Sequence, residues 1–273
     1  MYGTETRKSE LAAALSIMEL IFHGAVRSVR RGHSNAIVGL LTNIMQTLIF
    51  LGVFYIMYSV LGLRGNAIRG DFMVYLMSGI FLFMTNTKTM SAIVGAEGPT
   101  SAMMLHAPMN TTIAIGSAAL AALYTQALSI IVIVGVYKLG WGEIHIEDPI
   151  SLLGMFLLAW VSGLSVGLVV LAMRPWWPGF VSIASMLYSR ANMVASGKMF
   201  VANMLTPKML ALFSWNPLFH IIDQARGFAF INYSPHYSSV TYPVIVTGVL
   251  LIIGLMGEFF TRKHASVSWS AGK

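Results

Sequence analysis

The sequence predicts an all-α integral membrane protein. Two observations lead to this prediction: the small fraction of charged residues and the long apolar segments. Of the 273 residues, 56% are hydrophobic and only 10% are charged, and the mean hydropathy is +0.74. Soluble domains carry about 25% charged residues, so a soluble chain this poor in charge could not cover its surface with polar groups. Soluble enzymes and disordered chains are therefore excluded. At about 20 apolar residues per span, the length allows roughly six transmembrane helices in one domain.

The charge distribution predicts the orientation in the membrane. The net charge is +7, and eight of the 17 Lys and Arg residues lie near the two ends of the chain. Basic clusters that flank apolar spans mark cytoplasmic ends, so both termini are predicted to be cytoplasmic. No basic stripe with interleaved aromatic residues indicates a nucleic-acid surface, and we expect contact with anionic lipid instead. The absence of cysteine excludes disulfide scaffolds and thiolate chemistry.

The first element is an amphipathic helix over 11–31, within a cytoplasmic segment 1–35. Its polar stripe carries Glu19, His23 and Arg27, and its opposite arc carries Met18 and Phe22 among other apolar residues. A helix with two such faces lies in the membrane interface. The alternative is a helix on the soluble side that packs on another subunit.

Six apolar segments then form one transmembrane domain over 36–261, followed by a tail over 262–273. In the first span, Asn43 and Gln46 share a face and are expected to meet other helices, and in the fourth, Gly163 and Gly167 predict close helix packing. The predicted spans are 36–60, 72–94, 112–137, 150–173, 179–199 and 243–261.

The segment 200–242 is apolar in part but is not predicted to cross. Pro217 and its neighbours interrupt it, and Asp223 and Arg226 would be costly in lipid. Asn216 followed by Pro217 is typical of a helix start, with Asn as the N-cap and Pro in the first turn. We therefore predict a re-entrant pair of short helices that lines or gates a pathway, since non-helical backbone at membrane depth needs protein or water around it.

Catalytic and nucleotide motifs are absent from the sequence. There is no G-x-x-x-x-G-K-[ST], H-E-x-x-H or G-x-S-x-G, and the seven histidines are scattered. The chain is therefore not expected to be an enzyme, to bind a cofactor or to hold a metal ion. An aromatic-lined pathway for a substrate is a further hypothesis, because aromatic rings combine apolar area with a polar tip. Its candidates are Tyr55, Tyr58, Trp160 and the intramembrane Arg190, although for each aromatic taken singly a role in the core or at the membrane interface is preferred.

The segment 215–226 reads W-N-P-L-F-H-I-I-D-Q-A-R. It resembles the W-N-P-L-x-H-x-x-[DE]-x-x-R segment of ABC-2 type permeases, most closely the capsular-polysaccharide and O-antigen (lipopolysaccharide) exporters of Gram-negative bacteria. The basic N-terminal helix, the six spans and the last span ending in Arg262-Lys263 agree with that family, and the resemblance extends over about 20–264.

The resemblance implies a function and partners. Such a permease is a homodimer in the bacterial inner membrane, joined to two copies of an ABC ATPase subunit that binds ATP and Mg²⁺, and it exports a polysaccharide or lipid-linked glycan. The loop 95–111 would dock the ATPase, with Glu97, Gly98, Pro99 and Pro108 as coupling positions; the alternative is a plain connecting turn. Alternative functions are export of another amphipathic substrate (a lipid or drug) and a channel or scaffold without an energy source.

The resemblance also assigns an outer gate to 207–230. Its positions are Trp215, Asn216, Pro217, His220, Asp223 and Arg226. Asp223 and Arg226 are expected to pair along their helix or across the dimer axis. The alternative is that all six merely anchor the re-entrant pair.

Overall fold

The computed structural model describes residues 10–31, 36–62, 68, 71–96, 111–142 and 144–264. Within these ranges the chain forms nine α-helices, one short 3₁₀ helix at Ala202–Met204 and no β-strand. The α-helices are α1 (Glu10–Arg31), α2 (Ala36–Val60), α3 (Phe72–Val94), α4 (Thr111–Trp141), α5 (Pro149–Met173), α6 (Pro178–Ala195), α7 (Pro207–Phe213), α8 (Pro217–Ala229) and α9 (Thr241–His264).

Four of the described helices are long and apolar enough to cross a membrane: α2, α4, α5 and α9. Their outward faces carry large apolar side chains that no other part of the fold covers, such as Ile49 at 59% exposure and Phe259 at 60%. Exposed apolar area on this scale is what a lipid environment covers. The expectation of six spans is not met on length and composition, because α3 contains Asn86 and Lys88 and α6 contains Arg190 and Asn192.

The centre of the bundle is α3, which contacts α2, α4, α5, α6 and α8. Most of its side chains are buried, including the polar Thr85 and Asn86. Both polar groups have partners: Thr85 Oγ1 donates to the carbonyl of Phe81 at 2.7 Å, and Asn86 Nδ2 donates to that of Ala159 at 3.2 Å. The polar residues of α3 therefore lie where other helices surround them.

Glycines allow α5 to approach α3 at backbone distance. A Cβ on Gly163 would lie 2.3 Å from the carbonyl oxygen of Asn86, and one on Gly167 would lie 2.8 Å from Cβ of Ile93. On the other side of α5, a Cβ on Gly254 of α9 would lie 2.6 Å from Cβ of Leu168. The predicted packing role of Gly163 and Gly167 is confirmed.

The N-terminal helix α1 packs on α4 of the same chain. Ser117 Oγ donates to the carbonyl of Ile21 at 3.1 Å, and Gly24 admits this approach, because a Cβ there would lie 2.2 Å from Ser117 Oγ. Met18 and Phe22 stay 66% and 58% exposed. The amphipathic helix is thus present with an uncovered apolar face, while its position relative to a membrane interface stays a prediction.

Two helix ends show how the sequence sets the boundaries. The helix α6 ends at Ala195, four residues before the predicted 199, because Gly197 has a φ of +75° that ends the helical turn. The helix α5 begins at the predicted place, where Asp148 caps it by accepting from Ser151 N at 3.1 Å and Ser151 Oγ at 2.5 Å. These hydrogen bonds from Ser151 lower the pKa of the Asp148 carboxyl.

Replacing Gly163 with Ala tests the α3–α5 contact. The added methyl group collides with the backbone at Asn86, so we expect a loss of about 1–3 kcal/mol of stability. Gly154→Ala on the same helix is the matched control, because a Cβ there meets nothing within 4 Å. Thermal unfolding in detergent should show a lower midpoint for Gly163→Ala only; equal midpoints would contradict the close contact.

Candidate functional site: an anchored pair of short helices

The segment between α6 and α9 folds as the predicted pair of short helices, α7 and α8. Asn216 caps α8 by accepting from Leu218 N at 3.0 Å, and Pro217 occupies the first turn. The amide group of Asn216 also donates to Asn192 Oδ1 at 2.9 Å and to the carbonyl of Ala195 at 3.1 Å. One side chain thus starts α8 and attaches it to the end of α6.

His220 joins α8 to the segments on either side. Its Nδ1 accepts from Ser239 N at 3.1 Å, so the ring proton is on Nε2, which donates to the carbonyl of Ser214 at 2.7 Å. The ring also packs on that of Tyr242, with 4.7 Å between centroids. His220 therefore holds the α7–α8 connection against the start of α9.

Asp223 is 2% exposed and accepts three hydrogen bonds. Oδ1 accepts from Ala202 N at 3.1 Å and from the Tyr233 hydroxyl at 2.5 Å, and Oδ2 accepts from Ser238 Oγ at 2.6 Å. Burial first, and the neighbouring Asp223 second, raise the pKa of Tyr233, so this phenol remains a donor. The carboxylate ties the 3₁₀ helix before α7 to the loop after α8.

Arg226 is 0% exposed and binds the turn 197–200 that follows α6. Nη1 donates to the carbonyls of Gly197 at 2.7 Å and Phe200 at 2.5 Å, and Nη2 donates to that of Lys198 at 2.7 Å. The guanidinium also lies over the ring of Tyr75, 4.2 Å from its centroid. Charge-assisted donors are well suited to backbone carbonyls that leave a helix inside an apolar bundle.

The same turn is held from α2 and α3 as well. The Tyr58 hydroxyl donates to the carbonyl of Met199, so a side chain serves each of the four consecutive carbonyls from 197 to 200. Lys198 Nζ donates to the carbonyl of Met193 and lies 4.0 Å from the centroid of the Phe83 ring. Gly79 of α3 leaves room for the turn, because a Cβ there would lie 2.9 Å from the Lys198 backbone.

The expected pairing of Asp223 with Arg226 along α8 is wrong. The two side chains form no ion pair: Asp223 accepts from Ala202 N and from two hydroxyl groups, whereas Arg226 donates to the turn 197–200. Three residues apart on a helix, two side chains can meet, but here the turn 197–200 and the loop after α8 offer more hydrogen bonds than a single pairing would. Both charges thus act as anchors of loops within this chain.

Trp215 is the one predicted gate residue that presents most of its side chain outward, at 63% exposure. Its carbonyl accepts from the Tyr242 hydroxyl at 2.7 Å. Met209 and Leu212 of α7 are also exposed, at 43% and 62%. Asn216, His220, Asp223 and Arg226 face inward and position the pair, while a mainly apolar surface that includes Trp215 faces outward.

The four predicted pathway residues are not brought together. Tyr58 is buried against the turn 197–200, and Trp160 Nε1 donates to the carbonyl of Ala119 at 2.9 Å, so both have packing roles. Tyr55 is partly buried near Phe72, and Arg190 is exposed on α6.

The predicted coupling residues Glu97, Gly98, Pro99 and Pro108 lie outside the described residues. Across the described part of the chain, no three His, Asp or Glu side chains are grouped so that they could hold a metal ion.

Sequence reasoning missed Tyr233, Ser238 and Gly79, which complete the network around Asp223 and Arg226. No local pattern marks them, because each meets its partner only through tertiary packing. Lys198 had a detectable signal, since a lysine inside the predicted span 179–199 needs either water or a partner.

Comparison with known proteins adds no further constraint. No family model and no curated protein matches this chain. The arguments about function therefore rest on the geometry and on the sequence resemblance.

Arg226→Lys tests the role of the guanidinium in holding the turn 197–200. A lysine keeps the charge but lacks the planar fork, so it leaves buried carbonyls without donors and should cost about 2–4 kcal/mol. Lys208→Arg is the control, because Lys208 is exposed on α7. Thermal unfolding in detergent should distinguish the two variants, and an unchanged midpoint for Arg226→Lys would contradict the anchoring role.

Exchanging the two charges tests whether they act as a pair. Asp223→Arg and Arg226→Asp should each reduce stability, and the double variant should be no more stable than the worse single variant, because the residues have separate partners. Yield of monodisperse protein and unfolding midpoint are the measurements. Recovery in the double variant would show a direct interaction instead.

Proposed function

We propose that this chain is the membrane-spanning subunit of an ABC exporter that moves a polysaccharide or lipid-linked glycan across a bacterial inner membrane. ATP would be hydrolysed by a separate ATPase subunit, and two copies of this chain would form the pathway. The observation that carries the proposal is the anchored pair α7–α8. The segment 215–226, which resembles the permease motif, forms a short helix that is held from inside by Asn216, Asp223 and Arg226.

The anchored pair suits an outer gate because one of its faces is attached to the bundle and the other is exposed. A gate element needs a fixed base and a free surface toward the pathway. Asp223 and Arg226 supply the base, since each binds a loop beside α8, and Trp215 with the exposed side chains of α7 supplies the surface. In this proposal the five other motif residues position Trp215 rather than contact the substrate.

The proposal includes six membrane crossings with both termini in the cytoplasm. Besides the four apolar helices, α3 would cross because its 23 residues reach about 35 Å and its polar side chains are enclosed by neighbours. The helix α6 would be the remaining crossing, with Arg190 directed to a partner copy or a water-filled space. Tyr55 and Arg190 stay candidates for the pathway, and Tyr58 and Trp160 do not.

Co-purification with an ABC ATPase and export in cells test this function. Affinity-tagged chain expressed in its own host should retain an ATPase subunit, and deleting the chain should abolish surface glycan detected by antibody or lectin. Replacing 97–105 with a Gly/Ser linker should leave insertion intact but remove export, because the predicted docking loop is lost.

The same linker at 63–67, a loop predicted on the opposite side, is the matched control and should export normally. If no ATPase is retained and surface glycan is unaffected by deletion, the exporter proposal fails and a channel or scaffold becomes the better hypothesis.

A further inference from the structure

A second polar region lies away from the anchored pair, in a cleft of about 290 Å³ between the first four helices. Each helix contributes a polar side chain to its lining: Ser28 from α1, Gln46 from α2, Lys88 from α3 and Gln126 from α4. The space is about ten times the ~30 Å³ that a water molecule occupies in the liquid. Its other walls are mostly small residues such as Ala122, so the cleft has room for a ligand.

Lys88 supplies this cleft with an unbalanced positive charge. Its ammonium donates to Asn43 Oδ1 and to Gln46 Oε1, the latter at 2.5 Å, and both acceptors are neutral amides. In the described part of the chain no carboxylate pairs with it. A cation among apolar helices usually faces a partner or water, so a missing counter-charge indicates that an anion from outside completes the site.

The cation also orients the amide groups beside it. Because the oxygens of Asn43 and Gln46 point to Lys88, their NH₂ groups are turned away from it. That of Asn43 donates to Ser129 Oγ at 2.7 Å, whereas that of Gln46 has no partner among the described residues. Lys88 has a third N–H available as well. The cleft therefore offers the remaining N–H of a charged donor, which suits an anionic oxygen.

The depth of the cleft favours a lipid phosphate. Lys88 lies six residues before the end of α3 at Val94, about 9 Å along the helix axis. The polar layer on each side of a bilayer is about 5–8 Å thick, so the long lysine side chain can reach its inner boundary. The helix α1 packs on α4 at Ser117, next to Ala118 in the wall of the cleft. Its uncovered apolar face is suited to the polar layer of the bilayer.

We propose that this cleft binds the phosphate group of an anionic lipid headgroup, with Lys88 as the cation. This inference rests on the proposed crossing of the membrane by α3 but not on transport, so it can fail separately from the exporter function.

Lipid retention by the purified full-length chain tests the site. Native mass spectrometry with added phosphatidylglycerol should show retained lipid, and Lys88→Met should weaken its apparent affinity about tenfold or more, because a charge-assisted contact is lost. Lys88→Arg keeps the charge and should stay close to wild type. Lys138→Met is the matched control, because it removes an exposed lysine at the other end of α4.

Further arms separate the possible sources of binding. Diacylglycerol, which lacks phosphate, should bind without dependence on Lys88. If millimolar inorganic phosphate displaces phosphatidylglycerol, the site recognises phosphate from either source, and if it does not, the lipid headgroup is required. Should Lys88→Met fail to fold, Ala122→Leu fills the cleft and leaves Lys88 in place. Wild-type lipid affinity in Ala122→Leu, or equal losses in Lys88→Met and Lys138→Met, would overturn the proposal.

Discussion

Backbone that leaves a helix inside an apolar bundle must find hydrogen-bond donors, because no water is there to supply them. In this protein the constraint falls on the turn 197–200, and Arg226 meets most of it. Its guanidinium serves three carbonyls of the turn, and Tyr58 serves the fourth. The position of α8 follows from this clamp, because a side chain that reaches back to the turn fixes where its own helix lies.

The hydrogen bonds from Arg226 to the turn 197–200 require this turn to lie close to α3. Gly79 allows the turn to contact α3 directly, while Gly163 brings α5 against the same helix near Asn86. These contacts enclose α3 on several sides, and the enclosure is what makes its polar residues tolerable. Helix association in a membrane relies on such small-residue contacts and on interhelical hydrogen bonds, because lipid provides no hydrophobic force between helices. Close helix packing at the glycines is therefore what allows α3 to carry buried polar residues.

Two cations inside the bundle, the buried Arg226 and the partly buried Lys88, illustrate opposite arrangements. Arg226 donates from its two Nη atoms to three backbone carbonyls and lies over an aromatic ring, so its charge serves the fold. Lys88 contacts only amide oxygens and borders open space, so its charge is directed to something outside the chain. A charge inside a membrane bundle is informative about function only when its partners are known, and here the partners separate a structural cation from a ligand-binding one.

The sequence by itself determined the class, the helices and the local starts and stops. Apolar runs and turn residues placed the long helices within a few residues of their observed bounds, and Asn216 with Pro217 marked the start of α8, because these signals are local. Only the tertiary structure decided the partners. The binding of Arg226 to a turn that lies 26 to 29 residues earlier, and the assembly of the Lys88 cleft from four helices, depend on residues far apart in the chain. Helical spacing shows which side chains share a face, but it cannot show which backbone carbonyl or amide a neighbouring element will bring to that face.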